Sequence, residues 1–321
     1  NARRRSSVDA SGAAGCEPAA GFCGEGYTDA GEPSFVSAAE QPLSTLSADA
    51  DTASYANLRR LVRSGAGLGT IDPGAVRIEE MLNYFDYDYA APAEGEDFAL
   101  TARAGACPWN AESELVVLGL TVGQAATEAP PTNLVLLVDV SGSMGDAEKL
   151  QVEFDPRMVE SYRPIGYANR TMADEDFRND GADAGELCAG AELTVAYEVV
   201  LTDEGRRREG DEPWLTCAVR HQPAGERAGE APAEQRFAVG RESWSAEPGD
   251  DWSLAAAVVE FGMLARDSEF VGTTTADDAA ALAESSASSL DATDRAARRE
   301  LTDLIRQAQR NAAFDGVVAA S

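Results

Sequence analysis

Leu193-Thr-Val-Ala-Tyr-Glu-Val-Val-Leu201 places large apolar side chains at every second position: Leu193, Val195, Tyr197, Val199 and Leu201. A period of two is the mark of a β-strand with one buried face. Downstream, Trp214–Val219 and Arg236–Val239 read as further strands, separated by acidic, glycine-rich loops. A run of short antiparallel strands of this kind predicts a sandwich. The pattern then changes period. Pro248-Gly-Asp-Asp251 opens a helix from about Trp252 to Arg266, with Leu254, Val258, Phe261 and Ala265 on one face. A short helix follows near Ala276–Glu284. A longer one, Asp294 to Arg310, sets Ala297, Leu301, Leu304, Ile305 and Ala308 on one face. The expected fold class is α+β, an antiparallel sandwich-like body with flanking helices.

Upstream, residues 1–40 are rich in Gly, Ala, Ser and acidic residues without a period, as in a flexible tail. Leu43, Thr45 and Ser47 alternate as a short strand. Asp51 or Thr52 can cap a helix running to Arg63, which Gly65, Gly67 and Gly69 end. Asp72-Pro73 supplies the next helix start, and Ile78, Met81, Leu82 and Phe85 predict an amphipathic helix from Pro73 to Phe85. Phe98–Ala104 and Glu114–Val122 read as strands on either side of a turn at Cys107-Pro-Trp-Asn110.

Of the 321 residues, 56 are acidic and 26 basic, for a net charge of −30. That balance argues against nucleic-acid binding and against electrostatic adhesion to anionic lipid. Lys149 is the only lysine and His221 the only histidine. One histidine removes multi-histidine metal sites, and its place after an apolar segment marks a strand end rather than a catalytic base. Cysteines 16, 23, 107, 188 and 217 include no C-x-x-C pair. Arg3-Arg4-Arg5 followed by Ala13-Ala14-Gly15-Cys16 has parts of a lipoprotein leader, but no apolar core joins them. Cys16 is therefore open to three readings: a lipid anchor, a disulfide with Cys23, or a free thiol.

The stretch with the most chemistry is Asn133-Leu-Val-Leu-Leu-Val-Asp-Val-Ser-Gly-Ser-Met144. A short apolar run, read as a buried strand, delivers Asp139, Ser141 and Ser143 to one turn. Three oxygen donors suit a hard cation. These residues resemble the opening metal motif of von Willebrand factor type A domains. That resemblance implies Mg²⁺, or Ca²⁺ or Mn²⁺, held by the two serines directly and by the aspartate through water. It also implies a protein ligand that presents a carboxylate. A threonine and a second aspartate from later loops should complete the shell, and the sequence after Leu150 does not supply the strand–helix units that would carry them.

Other segments resemble the modules that flank the type A domain in a family of bacterial extracytoplasmic proteins. Pro42-Leu-Ser-Thr, Asp51-Thr-Ala-Ser-Tyr-Ala-Asn57, Val76-Arg-Ile-Glu-Glu-Met-Leu-Asn-Tyr-Phe85 and Cys107-Pro-Trp-Asn110 carry the N-terminal match. Gln151-Val-Glu-Phe-Asp-Pro156, Tyr162-Arg-Pro-Ile-Gly-Tyr-Ala-Asn-Arg170, Ala173-Asp-Glu-Asp-Phe177 and Phe261-Gly-Met-Leu-Ala-Arg-Asp-Ser268 carry the C-terminal one. The expected organisation is an N-terminal module at 41–130, a type A fragment at 131–150 and a C-terminal module at 151–321. Met144–Leu150 is then the start of a type A helix, with a seam between Leu150 and Gln151. If an insertion there has its ends close together, the flanking modules are halves of one body. The expected role is cation-dependent protein interaction or adhesion at the cell envelope, without catalysis, with membrane contact only through a lipid on Cys16. The alternatives are a scaffold or stalk, or a hydrolase using an acidic cluster. Asp174, Asp176 and Asp180 are a calcium candidate, and Asp49 with Asp51 a candidate acid–base pair.

Overall fold

A computed structural model describes residues 26–123, 148–168, 170–179, 187–207, 212–222, 230–288 and 292–319. Asp139, Ser141, Ser143, Cys16 and Asp180 lie outside them. Among the described residues, nine strands form two antiparallel sheets. They are β1 (Val36–Ser37), β2 (Leu43–Ser47), β3 (Phe98–Ala106), β4 (Glu114–Val122), β5 (Lys149–Phe154), β6 (Val159–Pro164), β7 (Glu192–Leu201), β8 (Leu215–His221) and β9 (Ala233–Val239). One sheet runs β1-β6-β7-β4-β3 and the other β2-β5-β8-β9. Six helices complete the described residues: α1 (Ala53–Arg63), α2 (Ile78–Leu82), α3 (Asp203–Arg207), α4 (Asp250–Ala265), α5 (Ala276–Ser285) and α6 (Ala292–Ala319). The α+β class read from the sequence is the fold observed.

The centre of the five-stranded sheet, β4 and β7, is buried on both faces. Val116, Leu118 and Leu120 of β4 stand opposite Tyr197, Val195 and Leu193 of β7. These side chains meet Leu150, Val152, Cys217 and Val219 from the other sheet. The opposite face carries Leu115, Val117 and Ala196, covered by α1, α2, α4, α5 and α6. The alternation at Leu193–Leu201 therefore marks the sheet–sheet face, while the other face of β7 is dry for a second reason: helices cover it. Gly119, in the middle of β4, is explained by the same layer. A Cβ there would lie 2.2 Å from the ring of Tyr89, which stacks on Tyr87 with centroids 5.1 Å apart and bonds Thr194 of β7.

Both sheets mix the two halves of the chain. β2 pairs β5, and β4 pairs β7. The flanking segments are thus one body, as the insertion argument requires.

Three local expectations are corrected. Lys149 and Leu150 do not begin a helix. They are the first residues of β5, with Leu150 opposite Leu46 and Val219, and the continuous strand carries Gln151 without a break. Two strand neighbours outweigh the helix propensity of Ala-Glu-Lys-Leu. The helix expected from Pro73 to Phe85 is a 3₁₀ turn at Pro73–Ala75, capped by Asp72, then extended Val76 and Arg77, then α2. Ser54 breaks it: its hydroxyl donates to the carbonyl of Ala75 and accepts from the amide of Arg77. At α1 neither Asp51 nor Thr52 makes a cap bond. Asp51 pairs with Arg170 at 2.6 Å instead.

Candidate functional site

Gly123 and Glu148, the described residues on either side of 124–147, lie at one end of the sandwich. On the outgoing side, the amide of Val122 bonds the carbonyl of Ala191, and that of Gly123 bonds the carbonyl of Asp97 at 2.7 Å. Asp97 turns its carboxylate to His221 Nε2, 3.1 Å away, and the His221 ring meets Phe98 edge-on at 4.8 Å. Gln235 of β9 holds the same place from the other sheet: its side chain accepts from the amide of Phe98 and donates to its carbonyl. On the returning side, Ala48 bonds the carbonyl of Glu148, and the Glu148 carboxylate accepts the amide of Leu187. Lys149 then pairs with Arg220, the neighbour of His221. The two ends are therefore about 10–15 Å apart, one sheet separation plus part of a strand spacing.

Lys149 fixes the returning strand. Its side chain is only 2% exposed, and its ammonium donates to the carbonyls of Asp176 and Asn179. A buried ammonium must be met by acceptors, and backbone carbonyls do this here. The acidic run around Asp174 is organised by the same contacts. Asp174 accepts from Thr45 at 2.8 Å, Gln151 donates to Thr45, and Asp176 accepts from Asn179. Asp174 and Asp176 thus sit on one 3₁₀ turn, each with a protein partner, and Lys149 brings the positive charge. Among the described residues, no group of three or more His, Cys, Asp or Glu side chains is arranged to hold a metal.

The remaining candidates resolve into structure. Asp49 and Asp51 both bind Arg170, a pairing that sequence spacing does not reveal. His221 ends β8, as its position predicts. Cys107 and Cys217 are buried and Cys188 exposed, none in a disulfide. Burial pushes the Cys107 and Cys217 thiols up to about 12, which leaves them unreactive. The loop Gly65-Ala-Gly-Leu-Gly69 packs on α6: a Cβ at Gly67 would lie 2.3 Å from the backbone of Ala312, and Asn311 bonds the carbonyls of Val62 and Ala66. Sequence reading missed Asp97, Gln235 and Glu148. The pairing of Asp97 with the sole histidine had no signal in the spacing.

The strands before residue 124 and after residue 147 interleave in one two-sheet body. A family model described as "Uncharacterized protein YfbK, C-terminal" matches residues 143–310, and the chain belongs to that family. A second model, described as von Willebrand factor, matches residues 22–117, relating the chain to a family associated with protein interaction and adhesion. "Uncharacterized protein YfbK" of Escherichia coli (strain K12) is 39% identical over 120 residues, covering 35% of this chain and 20% of that relative. The aligned part is thus about a fifth of the relative's length. No solved structure gives a significant match. Because β4 pairs β7 and β2 pairs β5, the two matched ranges fold into one unit. Asp139 and Ser141 fall between those ranges, and Ser143 is the first residue of the second.

Proposed function

We propose that this protein is a non-enzymatic interaction protein of the cell envelope, in which the two-sheet body presents a cation-dependent binding segment containing Asp139, Ser141 and Ser143. The observation that carries the reading is the convergence of Gly123 and Glu148 at one end of the sandwich, each tied to it by hydrogen bonds. Paired, closely spaced exits are what an inserted binding domain requires. The donor set fits the ion: one carboxylate and two hydroxyls are hard oxygen ligands, matched to Mg²⁺ rather than to a thiophilic metal. When bound, the ion would supply an open position for a partner's carboxylate. The segment carries three of the five donors such a shell needs, so Mg²⁺ binds weakly here unless another chain or segment completes it. Binding rather than catalysis is supported by Asp49 and Asp51, both paired with Arg170, and by His221, whose Nε2 is engaged by Asp97 at the end of β8.

The test is affinity capture from envelope extracts with tagged protein, with and without Mg²⁺. A partner retained in Mg²⁺, released by EDTA and absent with Asp139→Ala supports the reading. A partner retained equally in all three cases assigns the protein to scaffolding instead. Envelope location is tested by fractionation, and the anchor by radiolabelled palmitate incorporation that Cys16→Ser abolishes.

A further inference from the structure

The acidic chain has a basic face. Helix α6 holds five arginines, and α1, packed beside it, adds Arg59, Arg60 and Arg63 without an acidic residue. At ~100° per residue, Arg295, Arg299, Arg306 and Arg310 fall in one stripe about 60° wide. The opposite stripe, Leu301, Leu304, Ile305 and Ala308, is buried. Two adjoining grooves of about 400 and 380 Å³, the larger lined by Arg295, Arg299 and Arg306, share Arg299 and Asp303 as a wall. Like charges at i and i+4 repel and destabilise a helix. Glu284 offsets Arg306 at 2.8 Å, and Glu300 offsets Arg59 and Arg63. Arg299 and Arg310 have no hydrogen-bond or ion-pair partner among the described residues. One turn past Arg310, Phe314 is 69% exposed, the exposed large hydrophobic side chain of the described residues.

We propose that this stripe is a docking surface for an acidic, extended peptide segment of another protein, with Arg299 and Arg310 binding its carboxylates and Phe314 an adjacent apolar side chain. Arginine forks match carboxylates, and the overall negative charge confines an acidic ligand to this face. Nucleic acid needs a continuous basic footprint, which Glu284, Glu300 and Asp303 interrupt, whereas a peptide needs only the separate arginine forks that meet its carboxylates. A lipid surface is disfavoured because the apolar stripe of α6 is already spent on the core.

The test is fluorescence anisotropy with the whole chain and a labelled peptide of about twelve residues, alternating Glu and Asp around one Trp. Saturable binding that weakens with salt, and by roughly tenfold or more in Arg299→Gln/Arg310→Gln, is expected. Phe314→Ser should weaken it further. Neither arginine holds another element, so the thermal melt of the double variant should match the parent. Unchanged affinity in the double variant, no saturation up to about 1 mM peptide, or tighter binding to single-stranded DNA or phosphatidylserine vesicles than to the peptide overturns the proposal.

Discussion

Arg163 and Glu198 meet at 2.8 Å on neighbouring strands, with side chains 0% and 2% exposed. Glu198 also accepts from Trp109, Asn110 and Ser113, so it ties the 107–113 turn to β6 and β7. The guanidinium lies 4.0 Å from the centroid of Phe270, which brings in the chain after α4. Removing one partner leaves an unpaired buried charge. Arg163→Met should therefore cost about 3–5 kcal/mol in urea unfolding, and Arg163→Met/Glu198→Met distinctly less. Burial pushes the Glu198 carboxyl up, but the bonds from Arg163, Trp109 and Asn110 outweigh it and hold the group below its ordinary value of 4.5. The stability this pair contributes is present above that value and is lost as the pH falls below it, a loss absent in the double variant.

Glu260 of α4 has the opposite sign. It is buried, Thr274 donates to one oxygen, and the other oxygen has no protein partner. Burial, with a smaller contribution from Asp278 at the start of α5, raises it from 4.5 to about 7. The folded protein therefore holds this proton more tightly than the unfolded chain. The stability is fully present below pH 4.5 and is lost as the pH rises to about 7. Glu260→Gln should melt like the parent at about pH 4 and be more stable at about pH 8 by on the order of 2–3 kcal/mol. A variant equally destabilised at both values would contradict this.

Gly119 leaves the space that Tyr89 fills. Gly119→Ala should cost about 1–3 kcal/mol by forcing the ring off β4. Tyr89→Leu should recover part of that loss in the same background, because a smaller side chain vacates the contact. Chemical denaturation of the two single variants and the double variant measures the coupling.

The strands were legible where one face alternates, as in Leu193–Leu201, because burial against a second sheet imposes the period. The other face of β7 was not legible: Thr194 and Glu198 look like surface residues until Tyr89 and Arg163 are placed against them. Local signals erred where a distant contact decides. Lys149-Leu150 follows helix-forming residues, yet pairing with Ser47 and Leu46 makes it strand. Ser54 breaks the helix expected after Pro73 from across a loop. That the two flanks form one body could be inferred from the insertion, but which strands pair across it could not be read, since strand order has no local signature. The metal motif was legible as chemistry, through residue types alone.

If segment 124–147 is a carried element rather than part of the core, the body should fold without it. Gly123 and Glu148 are about 10–15 Å apart, a gap that about six Gly/Ser residues span with slack. Replacing residues 124–147 by such a linker should leave the melting temperature within a few degrees of the parent, because the entropy of closing a short loop differs little from that of a longer one. The contacts at both exits, Gly123 to Asp97 and Leu187 to Glu148, remain available to the shortened chain. Asp97→Ala/Glu148→Ala should by contrast lower the melting temperature in both the parent and the linker version, since it frees the start of β3, on which Gly123 is anchored, from His221 and the returning strand from Leu187. A linker version that fails to unfold cooperatively would show that the segment is integral to the body, and the carrier reading would fall with it.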